Sequence, residues 1–457
     1  MSSTIKRNKY EIDMCNGTIM DKLISFSLPL MLSGILQLMF NAVDIIVIGR
    51  FSGSQSLAAV GSTTALINMF TNLFIGISLG ANVLSARFYA AGKDKEMSET
   101  VHTAITLALI SGIIMVFVGL IFAKPVLELM DTPDDVINLS TLYMRIYFMG
   151  MPFFMLYNYG ASILRAVGDT KRPLFYLIVA GIANAGLNMC LVIIFHLGVA
   201  GVAIGTVISQ LISSILVLRC LYRSETSYQL HFSKLKIQKE YLKQIFQVGI
   251  PAGIQSTVIN FSNVLLQSSV NSFGSIAMAG YTAANNIFGF LYVTVNAVTQ
   301  ACMSFTSQNY GVGKWKRMDR VLIDCLILSF VAMMILGNRA YFFGPKLLTI
   351  YTSNSKVIQC GMEILLYTTV TYFLCGFMDL FPGALRGMGR SGVPMILSII
   401  GTVGTRIVWI FWIFPNHRSL DILFISYPAS WIITIVLQVI CYYFVRKQLY
   451  AKMRAEA

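Results

Sequence analysis

Long apolar runs dominate this sequence, and their length leaves little choice of fold. Stretches near 23–48, 58–84, 101–122, 137–163, 174–195, 198–218, 246–272, 278–306, 321–343, 361–384, 394–415 and 422–445 carry few charges. A helix needs roughly 20 mostly apolar residues to cross the hydrocarbon of a bilayer, whereas a barrel strand needs about ten with alternating polarity. Most of these runs do not alternate, and a helix satisfies its own backbone hydrogen bonds where water is absent. Only 12% of the 457 residues are charged and 56% are hydrophobic, against about 25% charged in an ordinary soluble domain. The expected fold class is an all-α integral membrane protein with twelve transmembrane helices.

The net charge of +14 would suggest nucleic acid on a soluble chain, but its placement says otherwise. Of the 34 Lys and Arg, 26 fall in the termini and the even-numbered loops, including Lys6, Arg7, Lys9 and Lys22, Arg165 to Arg172, and Arg219 to Lys243. Positive charge marks the cytoplasmic side. Both termini are therefore expected in the cytoplasm of a multi-pass plasma-membrane protein, with anionic lipid headgroups rather than nucleic acid as partner. The first 22 residues lack the apolar core of a cleavable signal peptide. None of the eight cysteines forms a C-x-x-C pair, so they read as small apolar packing residues.

The chain repeats itself. LPLMLSGILQLMFNAVDIIVIGRF from Leu28 faces IPAGIQSTVINFSNVLLQSSVNSF from Ile250, an offset of 222. FYAAGKDKE from Phe88 faces NYGVGKWKR from Asn309, and LRAVGDTKRP from Leu164 faces LRGMGRSGVP from Leu385, both at 221. Each half holds six stretches. An even number makes the halves parallel repeats, with a substrate cavity expected between them. The expected organisation is a cytoplasmic segment 1–22, a six-helix bundle 23–218, a cytoplasmic linker 219–245, a second bundle 246–445 and a cytoplasmic tail 446–457. Pro29 and Pro251 occupy equivalent places and suggest a bend used in both halves.

A charge at the bilayer centre costs at least about 2.5–3.5 kcal/mol, so such residues are functional suspects. Asp44 sits well inside the first stretch with no basic residue near it in sequence. Asn41 and Gln37, three and seven residues earlier, share its helical face. An aspartate buried without a cation is expected to take up and release a proton. Asn158, Asn184, Asn188 and Thr206 are polar residues of the same half that can meet it, or can serve as interhelical glue. In the second half, Asp379 and Arg406 lie within the tenth and eleventh stretches. They can pair structurally, or line the cavity as a second coupling site or substrate anchor. Met155, Tyr157, Phe288 and Tyr292 are candidates for a versatile lining, or for plain packing. Glu363, Asp324, Arg145 and Arg339 lie nearer stretch ends, where long side chains reach the headgroups.

No enzyme is expected. The four histidines are scattered, and no Gly-rich phosphate loop with Lys-Ser or Lys-Thr is present. No metal or organic cofactor is implied beyond a coupling ion.

NAVDIIVIGRFSG, LAAVGSTTA, RAVGDTKRP, GVAGVAIGTVISQ and LRGMGRSGVP, in this order across about 21–445, resemble the multidrug and toxic compound extrusion (MATE) transporters. The likeness is to the prokaryotic branch with a first-helix aspartate. The resemblance implies a xenobiotic exporter for small amphipathic, often cationic, compounds, with no obligatory protein partner. It further implies proton coupling, or in some members sodium coupling, through Asp44 with Asn158, Asn184 and Thr206. The family often carries a second aspartate where this chain has Asn188, which leaves Asp44 as the sole titrating group of that cluster and weakens a sodium site. Another branch places a glutamate in the seventh span, and 246–272 holds no acid. The competing readings are a sodium-coupled exporter, a flippase for a lipid-linked precursor, which would want a strongly basic cavity, and a receptor or channel without pumping.

Overall fold

The computed structural model describes residues 9–130 and 132–456. Residues 1–8, with Lys6 and Arg7, which the sequence places on the cytoplasmic side, and Ala457 of the tail lie outside the described residues. The chain runs through α1 (Met20–Phe51), α2 (Gly53–Ala90), α3 (Asp94–Leu129), α4 (Asp134–Met149), α5 (Met151–Ala166), α6 (Lys171–Met189) and α7 (Gly198–Tyr222). The second half holds α8 (Lys239–Asn271), α9 (Ser275–Gly311), α10 (Trp315–Phe342), α11 (Gly344–Leu348), α12 (Ser355–Thr369), α13 (Tyr372–Gly387), α14 (Gly392–Ser398), α15 (Thr405–Val408) and α16 (Leu420–Glu456). No strand occurs among the described residues.

This is the expected twelve-helix membrane architecture, with two of its spans broken. Nine helical segments among the described residues are long and apolar enough to cross a bilayer, and the bent pair α12–α13 makes a tenth. The eleventh is α4 followed by α5. Pro152 sits in the first turn of α5 and has no N–H for the carbonyl four residues back, so the helix interrupts at Gly150. The twelfth is α8, long enough but studded with Gln255, Asn260, Ser262 and Asn263. The 45° bend between α12 and α13 follows three threonines. Thr368, Thr369 and Thr371 each donate to the carbonyl four residues earlier at 2.6 Å, and such back-bonding bends helices.

The two sequence repeats carry the same backbone turns. Six of the eight glycines with positive φ among the described residues pair at the repeat offset: Gly53 (+83°) with Gly274 (+94°), Gly92 (+65°) with Gly313 (+69°), and Gly168 (+97°) with Gly389 (+81°). Gly92 and Gly168 follow the ends of α2 and α5 in the left-handed conformation that closes a helix, which only glycine adopts without a Cβ penalty. The RAVGDTKRP segment is accordingly a tight turn. Asp169 accepts from the Arg172 backbone N–H at 3.1 Å and pairs with its guanidinium. Burial pushes the Asp169 carboxyl up while Arg172 opposes it.

Compactness divides the chain differently from the sequence repeats. One unit comprises residues up to Asp13 and Leu28–Gly253, the other Met14–Ser27 and Ile254–Ala457. The sequence places 14–22 in the cytoplasmic segment, 23–27 in the first bundle and the linker 219–245 outside both bundles. In the structure α1 and α8 each pass from one unit to the other, at Leu28 and Gly253, one residue before Pro29 and two after Pro251. The 223–238 stretch is docked rather than free. His102 of α3 accepts the His231 backbone N–H at 3.0 Å, and Thr103 accepts that of Gln238 at 3.2 Å.

Each unit has its own apolar core. The first is built around Met144, Phe148, Met155 and Tyr159, the second around Tyr281, Leu291, Ile364 and Phe424. Close approach depends on small residues, as in membrane bundles generally. A Cβ on Gly80 would lie 2.2 Å from the Ile245 carbonyl oxygen, and one on Gly160 2.2 Å from Val217. Large apolar side chains such as Phe117, Ile121, Ile182, Phe411 and Trp412 point outward, as lipid-facing residues do.

Candidate functional site

In the first unit a polar chain links α1, α6 and α7. Asp44 is buried and accepts a short hydrogen bond from the Asn188 side-chain amide. Asn188 also donates to Asn184 Oδ1 at 3.3 Å, since residues four apart share a helical face. Asn184 donates to Thr206 Oγ1 at 3.4 Å, and Thr206 returns its proton to the Val202 carbonyl at 3.0 Å. No Lys or Arg forms an ion pair with Asp44 among the described residues. Two glycines make the arrangement fit. A Cβ on Gly181 of α6 would enter the Phe40 ring of α1, and one on Gly205 of α7 would lie 2.1 Å from Asn188 Oδ1.

Four of the five expected coupling residues thus meet. Asn158 does not join them, for it donates to the Phe154 carbonyl of its own helix at 2.8 Å. An amide on a helix can always find the carbonyl one turn back, and sequence spacing does not say whether a better partner is in reach. Gln37 and Asn41 are exposed on α1 while Asp44 is buried. Tyr143 and Tyr147 of α4, both within electrostatic reach of Asp44, were not singled out by the sequence. Their signal is a four-residue spacing, which brings the ring centroids to 6.0 Å.

In the second unit Asp379 and Arg406 do not pair. Arg406 is buried and donates through Nη1 to Ser262 Oγ at 2.9 Å and Asn263 Oδ1 at 2.7 Å. Its guanidinium stands 4.7 Å from the centre of the Tyr427 ring. The positive charge acting on Asp379 is instead that of Arg386, about two helical turns along α13, which donates to Gln255 at 2.7 Å. Ser262 and Asn263 were missed by the sequence reading, although Asn263 is the repeat mate of Asn41 at the 222 offset. The supposed lining residues are mostly packing: Met155, Tyr157 and Phe288 are buried in the two cores, and Tyr292 alone of the four is exposed. Asp324 is buried and held by Arg320 at 3.0 Å.

Residues 29–190 and 251–412 each match the MatE family, one match per repeat. The chain is 30% identical over 434 residues to "Probable multidrug resistance protein YoeA" of Bacillus subtilis (strain 168), covering 93% of each. It is 23% identical over 380 residues to "Multidrug export protein MepA" of Staphylococcus aureus (strain NCTC 8325 / PS 47), covering 83% of this chain and 84% of that one. Among solved structures, an outward-facing multidrug resistance MATE family transporter of the MOP superfamily superposes with a TM-score of 0.89 at 20% identity, over 98% of this chain and 100% of that one. A MOP superfamily transporter from Pyrococcus furiosus gives 0.88 at 20% identity, over 98% and 99%. At that identity the structures speak for the fold. With both repeats matched and a relative aligned over nearly its whole length, this multi-pass membrane protein belongs to the MATE family of transporters.

Proposed function

We propose that this chain is a proton-coupled antiporter that exports small amphipathic, often cationic, compounds by alternating access, with its termini in the cytoplasm. The observation that carries the reading is Asp44, a buried carboxylate with an amide donor and no cationic partner among the described residues. The relatives' names, which speak of multidrug resistance and export, agree with the substrate class. A proton neutralises Asp44, and an ionised Asp44 attracts a cation, so proton and cationic substrate compete for one charge. A ligand shifts a conformational equilibrium only through its differential affinity for the two states. Protonation of Asp44 favours the outward-facing state that releases substrate, and deprotonation lets substrate bind again from inside. Asn188, Asn184 and Thr206 orient the carboxylate and supply neutral donors in both states. Arg406 is a single buried guanidinium and Arg145 is exposed on α4, so the strongly basic cavity a pyrophosphate flippase would want has little support.

Sodium coupling is the second reading. Asn188 Oδ1 is a buried acceptor without a donor among the described residues, and with Asp44 it offers oxygen ligands to a hard cation. The test is efflux of a cationic dye from vesicles with proton and sodium gradients imposed separately. Efflux driven by the pH gradient alone, and lost in Asp44→Asn, is the expected result. Gradient-driven efflux that survives Asp44→Asn would overturn the role given to Asp44, and an absolute sodium requirement would replace the proton reading.

A further inference from the structure

We propose that Arg406 is the protein half of an anion-binding site in the second unit, which takes a singly charged anion: the carboxylate of an organic compound or a free halide. This goes beyond the export reading and does not depend on Asp44.

The first observation is an uncompensated charge. A buried guanidinium is tolerated when it is paired and hydrogen-bonded. Arg406 is 3% exposed, yet no carboxylate pairs with it among the described residues. The titratable groups acting on it are Tyr427, Tyr281 and Cys375, which are uncharged in their ordinary forms at neutral pH. Ser262 and Asn263 supply neutral oxygens, and both bond to Nη1. Buried Nε has no acceptor among the described residues. A guanidinium presents five N–H donors in a planar fork suited to a carboxylate, so this one is left with its charge and its Nε–H unmatched.

The second observation is position. Arg406 occupies α15, a single turn of α-helix between two π-helical stretches, Ile399–Gly404 and Trp409–Ile413. π-helical turns recur at functional sites, because the extra residue widens the helix and re-aims its side chains. The first unit shows the same device, with Cys190–Ile194 in π-helical form two residues after Asn188. The repeat maps α8 onto α1 and the α14–α15 span onto α6. Arg406 with Asn263 therefore stands between the same two helices of its repeat as Asn188 with Asp44. One unit holds a carboxylate that lacks a cation there, and the other a guanidinium that lacks an anion.

Equilibrium dialysis of the purified full-length protein with radiolabelled benzoate, and separately with labelled chloride, tests the site. Saturable binding of at least one anion is expected, weakened about ten-fold or more in Arg406→Gln. Asn263→Asp is the second variant. It keeps the arginine and supplies an internal counter-ion, so it should expel the anion to a similar extent. Benzoate binding that chloride does not displace assigns an organic carboxylate, and chloride binding that benzoate does not displace assigns a halide. No saturable binding of either anion to the wild type would overturn the proposal, as would equal binding in Asn263→Asp.

Discussion

The two units keep one backbone plan and oppose each other in charge. Asp44 on α1 has Leu266 as its repeat mate, and Leu266 is buried in the second core. Arg406 has Ala185 as its mate on α6. The charge has thus moved to the other helix of the pair and changed sign, while the three pairs of positive-φ glycines kept their places. The difference teaches which features a duplication can vary. A helix-closing glycine is fixed by backbone geometry that all six helices share. A polar site is fixed by a few side chains, and two or three exchanges can replace it without altering the bundle.

The largest effect expected from breaking this asymmetry is at its acidic end. Asp44→Asn should keep the hydrogen-bonding shape of the site and reduce pH-gradient-driven dye efflux to background, measured in vesicles against the wild type. Gly205→Ala comes next. Its new methyl would lie 2.1 Å from Asn188 Oδ1 and push that amide away from Asp44. Overpacking of this kind costs about 1–3 kcal/mol, so a fall in efflux rate of about ten-fold is expected. Unaltered coupling would show that Asn188 does not position Asp44. Asn188→Asp sharpens the contrast in a third way. Two carboxylates at hydrogen-bond distance resist ionising together, and the added charge should make efflux respond to sodium at fixed pH. A sodium titration with no response would show that the missing acid is not what disfavours sodium. The smallest effect is expected of Asn158→Ala, whose amide donates within its own helix. Efflux within about two-fold of wild type, and a stability loss of about 1 kcal/mol or less in thermal unfolding, should follow.

Much of this could be read along the chain. The twelve runs became twelve helical spans because a bilayer demands long apolar helices, and the offsets of 221 and 222 anticipated the paired glycine turns. Asp44, Asn184, Asn188 and Thr206 were legible as a group, since an acid deep in an apolar run has few places to go. The interruption at Gly150 was not anticipated, although Pro152 carries its cause. Nor were the π-helical stretches around Arg406, which lie where α14 and α15 pack on α16.

The sequence alone determined the solvent of this protein, its helical class and its duplication, because hydrophobicity, length and self-similarity are properties of the chain. Only the tertiary structure decided the partners. Asn158 turned back on its own helix, Met155, Tyr157 and Phe288 went into cores, and Arg406 chose Ser262 and Asn263 over Asp379. A hydrogen bond is made or missed within about half an ångström, and the rotation of one helix against another, which sets that distance, is written in the packing of both.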